Sequence, residues 1–160
     1  MHRSQPVWPA ISTAIWAILF GGLNLYWTFG GRWLTDRLGQ SLQDGIAEND
    51  QQLMIANTAG GVGKIILGAF AIVTILPVAT RIPRLLLSLV QIVPAVGIFL
   101  YGFLNWSIAT AALLGFIETP ASVGEDALPW YVGLWEPIWM IGGVLLAITW
   151  WVWRRFYEPA

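Results

Sequence analysis

Long intervals without a single charged residue limit what this chain can fold into more than any other feature. No Asp, Glu, Lys or Arg occurs between Arg3 and Arg32, and none between Arg84 and Glu118. A helix of about 20 apolar residues crosses the roughly 30 Å of hydrocarbon in a bilayer. Hydrophobic residues make up 57% of the chain and charged residues 11%, against about 45 to 50% and about 25% in soluble domains. The sequence therefore predicts an integral membrane protein.

The apolar intervals predict an all-α fold, an integral membrane four-helix bundle in a single domain. The spans are expected at about residues 7–29, 59–80, 85–106 and 137–153, with outer loops at 30–58 and 107–136. The first interval follows Arg3 as a secretory signal peptide would, but it is long and ends in aromatic residues, which favours a retained span. Residues 85–117 as one straight helix would measure about 50 Å, so we expect the part after Trp106 to tilt, break or protrude.

The connections suggest how these helices pack. Only residues 81–84 separate the second and third spans, which predicts a tight antiparallel hairpin. In the first outer loop, apolar residues recur every four positions at Leu34, Leu38, Leu42 and Ile46. This pattern predicts a short amphipathic helix. We expect its apolar stripe to pack on the protruding segment 107–117, since both lie on the same side.

Basic residues divide unevenly between the two sides of the predicted bundle. The larger set is Arg3, Arg81, Arg84, Arg154 and Arg155, and the smaller set is Arg32, Arg37 and Lys64. Cytoplasmic flanks are enriched in Lys and Arg, so we expect both termini in the cytoplasm. Most of the eleven Trp residues, Trp27, Trp135 and Trp153 among them, fall near predicted span ends. This placement favours an aromatic belt at the headgroup level over stacking on a ligand.

The chain lacks the residues that several classes of function usually require. The chain has no Cys, and its one His is His2, so we expect no disulfide, no metal site and no cofactor. A net charge of -1 offers no basic surface for nucleic acid. The Gly-rich run at residues 59–64 lacks the spacing of a phosphate-binding loop.

Polar residues at the edges of the spans are the candidates for a site, because polar groups are costly in lipid. The candidate ligand-binding residues are Asn24, Tyr26, Arg32 and Asn105, and the candidate general acids or bases are Glu118 and Glu136. The alternative is structural. Asn24 and Asn105 would then hydrogen-bond across helices. Arg32 and Lys64 would pair with nearby acids, and Glu136 would cap the last helix.

Two short motifs resemble a known family. Residues 23–31 read LNLYWTFGG, and residues 135–143 read WEPIWMIGG ahead of a Trp-rich helix. Both are similar to small bacterial four-helix membrane proteins catalogued as domain of unknown function 3995. The resemblance implies a bacterial cytoplasmic (inner) membrane protein, with His where this chain has Asn24. It implies no activity, substrate or cofactor.

Two hypotheses for function follow. The first is a non-enzymatic membrane component that acts through the lipid bilayer, a membrane-protein partner or a second copy of the chain, for example as a small subunit of a larger complex. The second is a membrane-embedded enzyme or binding protein for a lipid or isoprenoid at the outer leaflet, with Glu118 or Glu136 as acid or base. The second hypothesis requires Asn24, Tyr26, Asn105 and the carboxylates to converge on one cavity.

Overall fold

A computed structural model describes residues 6–156, and within that part the protein is all-α, with no strand. The α-helices are α1 (Trp8–Thr28), α2 (Gln40–Glu48), α3 (Gln51–Val73), α4 (Arg84–Leu113), α5 (Leu128–Trp130) and α6 (Glu136–Phe156). Short 3-10 helices occupy Thr35–Arg37, Pro77–Arg81 and Glu125–Ala127, and a π-helical turn, Tyr131–Trp135, joins α5 to α6. Four helical segments, α1, α3, α4 and the run that ends with α6, are long and apolar enough to cross a membrane. The predicted all-α fold with four such helices is confirmed. His2, Arg3 and residues 157–160 lie outside the described residues.

The helices begin and end at other residues than the expected spans. α3 begins at Gln51 rather than near residue 59, because the Asp50 carboxylate caps it and accepts a hydrogen bond from the Leu53 amide at 2.7 Å. α4 is one unbroken helix of 30 residues, about 45 Å long at 1.5 Å per residue, so it continues well past Trp106.

The last membrane-length helix also starts before the expected span. A single helical path runs from Leu128 through the π-helical turn into α6. A proline inside a helix lacks an N–H and clashes with the carbonyl four residues earlier, and the wider π-helical turn just before Pro137 accommodates both effects. Glu136 therefore lies within a continuous helical path, and the expectation that it caps a helix is wrong.

The long helices associate as two pairs, α1 with α3 and α4 with α6, and α1 packs on α6 to join them. The expected tight pairing of α3 with α4 is wrong, since few of their residues meet. A Cβ on Gly21 would lie 2.7 Å from the Gly61 carbonyl oxygen, and a Cβ on Gly143 would lie 2.7 Å from the Ala95 carbonyl oxygen. Only glycine permits these close backbone approaches, and small residues drive helix association in lipid.

The core of the bundle is aromatic. Trp16, Phe20, Trp27 and Trp135 belong to one buried cluster, in which the rings of Trp27 and Trp135 meet edge to face. Trp153 is buried in a second cluster. The rings of Trp27, Trp135 and Trp153 are therefore not on the outer surface of the bundle, where the predicted aromatic belt at the headgroup level would have them. Their indole rings fill the space between helices, and Trp135 Nε1 donates to the Arg37 carbonyl at 2.7 Å.

The first outer loop packs on this aromatic cluster. Leu38, Leu42 and Ile46 contact it, whereas the end of α4 packs on Leu128 through Ala109 and Ala112. The expectation that the stripe covers residues 107–117 is therefore wrong. The helix itself starts only at Gln40, because the backbone of Leu38 and Gly39 just before it is extended.

Candidate functional site

A cavity of about 250 Å³ lies among α1, α3, α4 and α6, beside the first outer loop. Its apolar walls come from the aromatic cluster and from Leu38, Leu42 and Ile46. The polar side chains that line it are Asn24, Asn57, Lys64, Tyr101, Tyr131 and Glu136. Lys64 and Glu136 are ionisable residues inside membrane-length helices. Residues of this kind are costly in a membrane and mark candidate functional sites.

Lys64 extends from α3 into the bundle and is only 5% exposed. Its Nζ donates to Asn24 Oδ1 at 2.8 Å and to the Gly60 carbonyl at 3.3 Å. The ammonium lies 4.2 Å from the ring centre of Trp139 and 4.7 Å from that of Phe20, within the range of cation–π attraction. No acidic residue among those the structure describes forms an ion pair with Lys64. The expected pairing of this lysine with a nearby acid is therefore wrong.

Two asparagines hold the lysine at the cavity wall. Asn24 Nδ2 donates to Asn57 Oδ1 at 2.6 Å, and Asn57 Nδ2 donates to the Asn24 backbone carbonyl at 2.8 Å. Asn57 and Lys64 are seven residues apart and so share one face of α3. Asn24 thus bonds across helices, as the structural alternative proposed, and the same bonds position Lys64.

Glu136 lines the cavity from the start of α6 and is 3% exposed. Within residues 6–156 its Oε2 is buried without a hydrogen-bond partner. Tyr131 lines the same cavity, and its Oη accepts a hydrogen bond from the Gly39 amide at 3.2 Å, which ties the first outer loop to the wall. The cavity therefore contains a lysine and a glutamate that form no ion pair with each other.

Of the six residues predicted as site candidates, Asn24 and Glu136 line the cavity. Asn24 uses its side chain on Lys64 and Asn57, whereas the Glu136 carboxylate keeps a free acceptor. A ligand in this cavity thus meets an ammonium donor at Lys64 and a carboxylate acceptor at Glu136.

The other four predicted candidates lie elsewhere. Tyr26 lines a separate groove, where its Oη accepts a hydrogen bond from the Trp33 amide at 3.4 Å. Asn105 donates to a carbonyl of its own helix at 2.8 Å and does not bond across helices. Arg32 and Glu118 are exposed in the outer loops, and within the described residues Arg32 forms no ion pair.

The sequence pattern did not indicate Asn57, Tyr101 or Tyr131 as site residues, and Lys64 was expected to pair with a nearby acid. The signal on α3 was the seven-residue spacing of Asn57 and Lys64, which places two polar side chains on one helix face. Tyr101 and Tyr131 gave no comparable signal, because each lies in an apolar and aromatic stretch.

An apolar groove of about 750 Å³ adjoins the cavity. It lies between α1 and the helical path that enters α6, with Trp33 and Leu34 at one side. Phe20 and Trp135 line both the groove and the cavity. The polar cavity and the apolar groove thus share one aromatic wall.

Residues 6–156 contain no group of His, Cys, Asp and Glu side chains arranged to hold a metal ion. A family model described as "Protein of unknown function (DUF3995)" matches residues 17–146. The chain belongs to this family. Neither a curated protein nor a solved structure matches it significantly. All residues that line the cavity of this DUF3995 protein fall within the matched range.

Proposed function

We propose that this DUF3995 protein is a non-enzymatic membrane protein that binds the polar head of a small amphipathic molecule in the cavity among α1, α3, α4 and α6. The observation that supports this most is that Lys64 and Glu136 are buried, face one cavity and form no ion pair. Burying an unpaired charge costs several kcal/mol. A ligand that brings an acidic group to Lys64 and a hydrogen-bond donor to Glu136 offsets this cost.

The volume of the cavity limits the ligand. About 250 Å³ is smaller than the roughly 300 to 1,000 Å³ of typical ligand pockets, so the cavity has room for a head group but not for a whole lipid. The adjoining groove is apolar and larger, which suits a hydrocarbon or isoprenoid chain. We therefore propose as the ligand a lipid or isoprenoid with a zwitterionic or carboxylate-bearing head, whose head would lie in the cavity and whose chain would lie in the groove.

We propose binding rather than catalysis because of where the carboxylates lie. Acid–base chemistry on a bound lipid needs a group within hydrogen-bond reach of the reacting atoms. Glu136 lines the cavity, but Glu118, the other candidate, is exposed in the second outer loop. No pair of carboxylates among the described residues faces the ligand space.

We propose the bacterial cytoplasmic membrane as the location, on the strength of the family resemblance. The arginines at the start of α4 and the end of α6 support a cytoplasmic position for that end of the bundle. Both termini would then be cytoplasmic, and the cavity would lie toward the outer leaflet.

Purification in a mild detergent, followed by mass spectrometry of the bound molecules, tests the proposal. We expect the wild-type protein to retain one amphipathic molecule at near-stoichiometric amount, and Lys64→Met and Glu136→Gln to lose most of it. Gln91→Met is the matched control, since Gln91 is 0% exposed but does not line the cavity. This control should retain the ligand, and circular dichroism shows whether each variant is folded.

A wild-type protein without a bound molecule, or equal retention in the folded cavity and control variants, would overturn the proposal. So would recovery of a stoichiometric membrane-protein partner in place of a small molecule. That last result would support the alternative, a small subunit of a larger complex. Recovery of a second copy of the chain in place of a small molecule would likewise overturn the proposal and support a protein-interacting membrane component.

A further inference from the structure

The end of the bundle opposite the cavity carries a basic groove. Its volume is about 450 Å³, and it is lined by Arg84, Trp150, Trp151, Arg154 and Arg155. Arg84 is the first residue of α4, and the other four belong to the last turns of α6. Three arginines from two helices therefore face one space, and within residues 6–156 no acidic side chain lines it.

Two of these arginines are held by aromatic rings. The guanidinium carbon of Arg154 lies 5.3 Å from the ring centre of Trp150, and that of Arg155 lies 5.3 Å from the ring centre of Trp151. Each pair is four residues apart, so each arginine stacks on a side chain one helical turn away. In the described part of the chain neither arginine pairs with a carboxylate. Stacking uses the face of a guanidinium group and leaves its N–H edge for an anion.

The third arginine joins the two helices across the groove. Arg84 Nη2 donates to the Arg154 backbone carbonyl at 3.4 Å. This bond holds the start of α4 against the end of α6, so the groove has walls from both members of the α4–α6 pair.

We propose that this groove binds the phosphate of an anionic phospholipid head group. Arginine matches phosphate oxygens with parallel N–H donors, and basic pockets between membrane helices bind such head groups. The surroundings favour a lipid over free phosphate. Indole rings at the end of a membrane helix lie at the headgroup level, and Trp151 is 54% exposed beside the arginines. Leu85, next to Arg84, is 70% exposed and offers a surface for an acyl chain.

Native mass spectrometry of the full-length protein in neutral detergent tests this site. The protein is titrated with phosphatidylglycerol and, separately, with phosphatidylcholine carrying the same acyl chains. We expect phosphatidylglycerol to bind at least about tenfold more tightly, and the double variant Arg154→Gln, Arg155→Gln to lose that preference, since two charge-assisted hydrogen-bond donors are removed. Equimolar inorganic phosphate should not displace the lipid.

Arg81→Gln is the matched control, because it removes a charge from the same end of the bundle without touching the groove. We expect it to change phosphatidylglycerol affinity by about twofold or less, as for a screened surface charge. Should the double variant fail to fold, Arg155→Gln alone replaces it, since that side chain is exposed.

Any one of three results would overturn the assignment. The first is equal binding of the two lipids, and the second is a loss of binding in Arg81→Gln as large as that in the groove variants. The third is displacement of the lipid by equimolar inorganic phosphate. The second result would indicate general attraction to a basic surface, and the third a site for free phosphate. Lys64→Met should leave this binding unchanged, which separates this site from the cavity.

Discussion

The substitution Gly143→Ala should weaken the packing of α4 on α6. A Cβ at position 143 would lie 2.7 Å from the Ala95 carbonyl oxygen and 2.8 Å from the Phe99 amide nitrogen. Ordinary contact begins at 3.4 Å, so the shorter distance falls about 0.7 Å inside it. Both neighbours are backbone atoms of α4, so no side-chain rotation relieves the overlap and the helices must move apart. Overpacking of this kind costs about 1 to 3 kcal/mol of unfolding free energy.

Gly97→Ala is the matched control. Gly97 lies in α4, the helix that Gly143 of α6 packs against, and apart from its own helix backbone no atom lies within 4 Å of a Cβ placed there. Only helix propensity changes, by about 0.5 to 1 kcal/mol in favour of alanine. Gly143→Ala includes the same gain, so the difference in unfolding free energy between the two variants is the packing penalty, about 1 to 3 kcal/mol.

Reversible unfolding in detergent micelles by titration with dodecyl sulfate, followed by far-ultraviolet circular dichroism, measures both free energies. Gly143→Ala should unfold at a lower dodecyl sulfate fraction than wild type or at an equal one, and Gly97→Ala at an equal or higher one. Indistinguishable unfolding free energies for the two variants would refute the explanation of helix pairing by glycine contacts.

Four further substitutions test three other contacts in the same unfolding assay. Asp50→Ala removes the carboxylate that accepts from the Leu53 amide and should cost about 0.5 to 2 kcal/mol; an unchanged stability would contradict the role of this cap. Gln91→Met should stabilise the protein by about 1 kcal/mol, because the buried Gln91 Oε1 has no partner; a clear loss would mean that the amide is needed. Thr13→Val and Thr149→Val should show a coupling of about 0.5 to 1.5 kcal/mol in a double-mutant cycle, since their hydroxyls lie 2.9 Å apart. Strictly additive effects would count against that hydrogen bond.

The four long helices could be predicted from the sequence because hydropathy is a property of whole intervals. Their pairing could not, because it depends on single atoms such as the Gly61 carbonyl facing Gly21. A short connection brings two helix ends together without deciding which faces meet. For this reason the brief link at residues 81–84 suggested an α3–α4 hairpin that does not form.

The cavity was only partly predictable, for a related reason. Expecting the second span at residue 59 placed Lys64 near a membrane surface, where its ammonium would reach water. Capping by Asp50 starts α3 earlier, so Lys64 falls well inside the helix and its side chain is buried. Asn105 has the same polarity as Asn24 but bonds to its own helix. The direction in which a polar side chain points depends on how the helices pack, and it cannot be predicted from composition.

A π-helical turn holds one residue more than the α-helix it interrupts, and this extra residue sets the register of the cavity wall. In a regular α-helix, side chains five positions apart point about 140° away from each other. The turn at Tyr131–Trp135 brings Tyr131 and Glu136 close to the roughly 40° offset of residues four apart, and both line the cavity. If the same residues formed a regular α-helix instead, Tyr131 would turn about 100° away from Glu136, and the hydrogen bond from the Gly39 amide to its Oη would break. The first outer loop would then lose this link to the cavity wall, while the basic groove at the other end of the bundle would be unaffected.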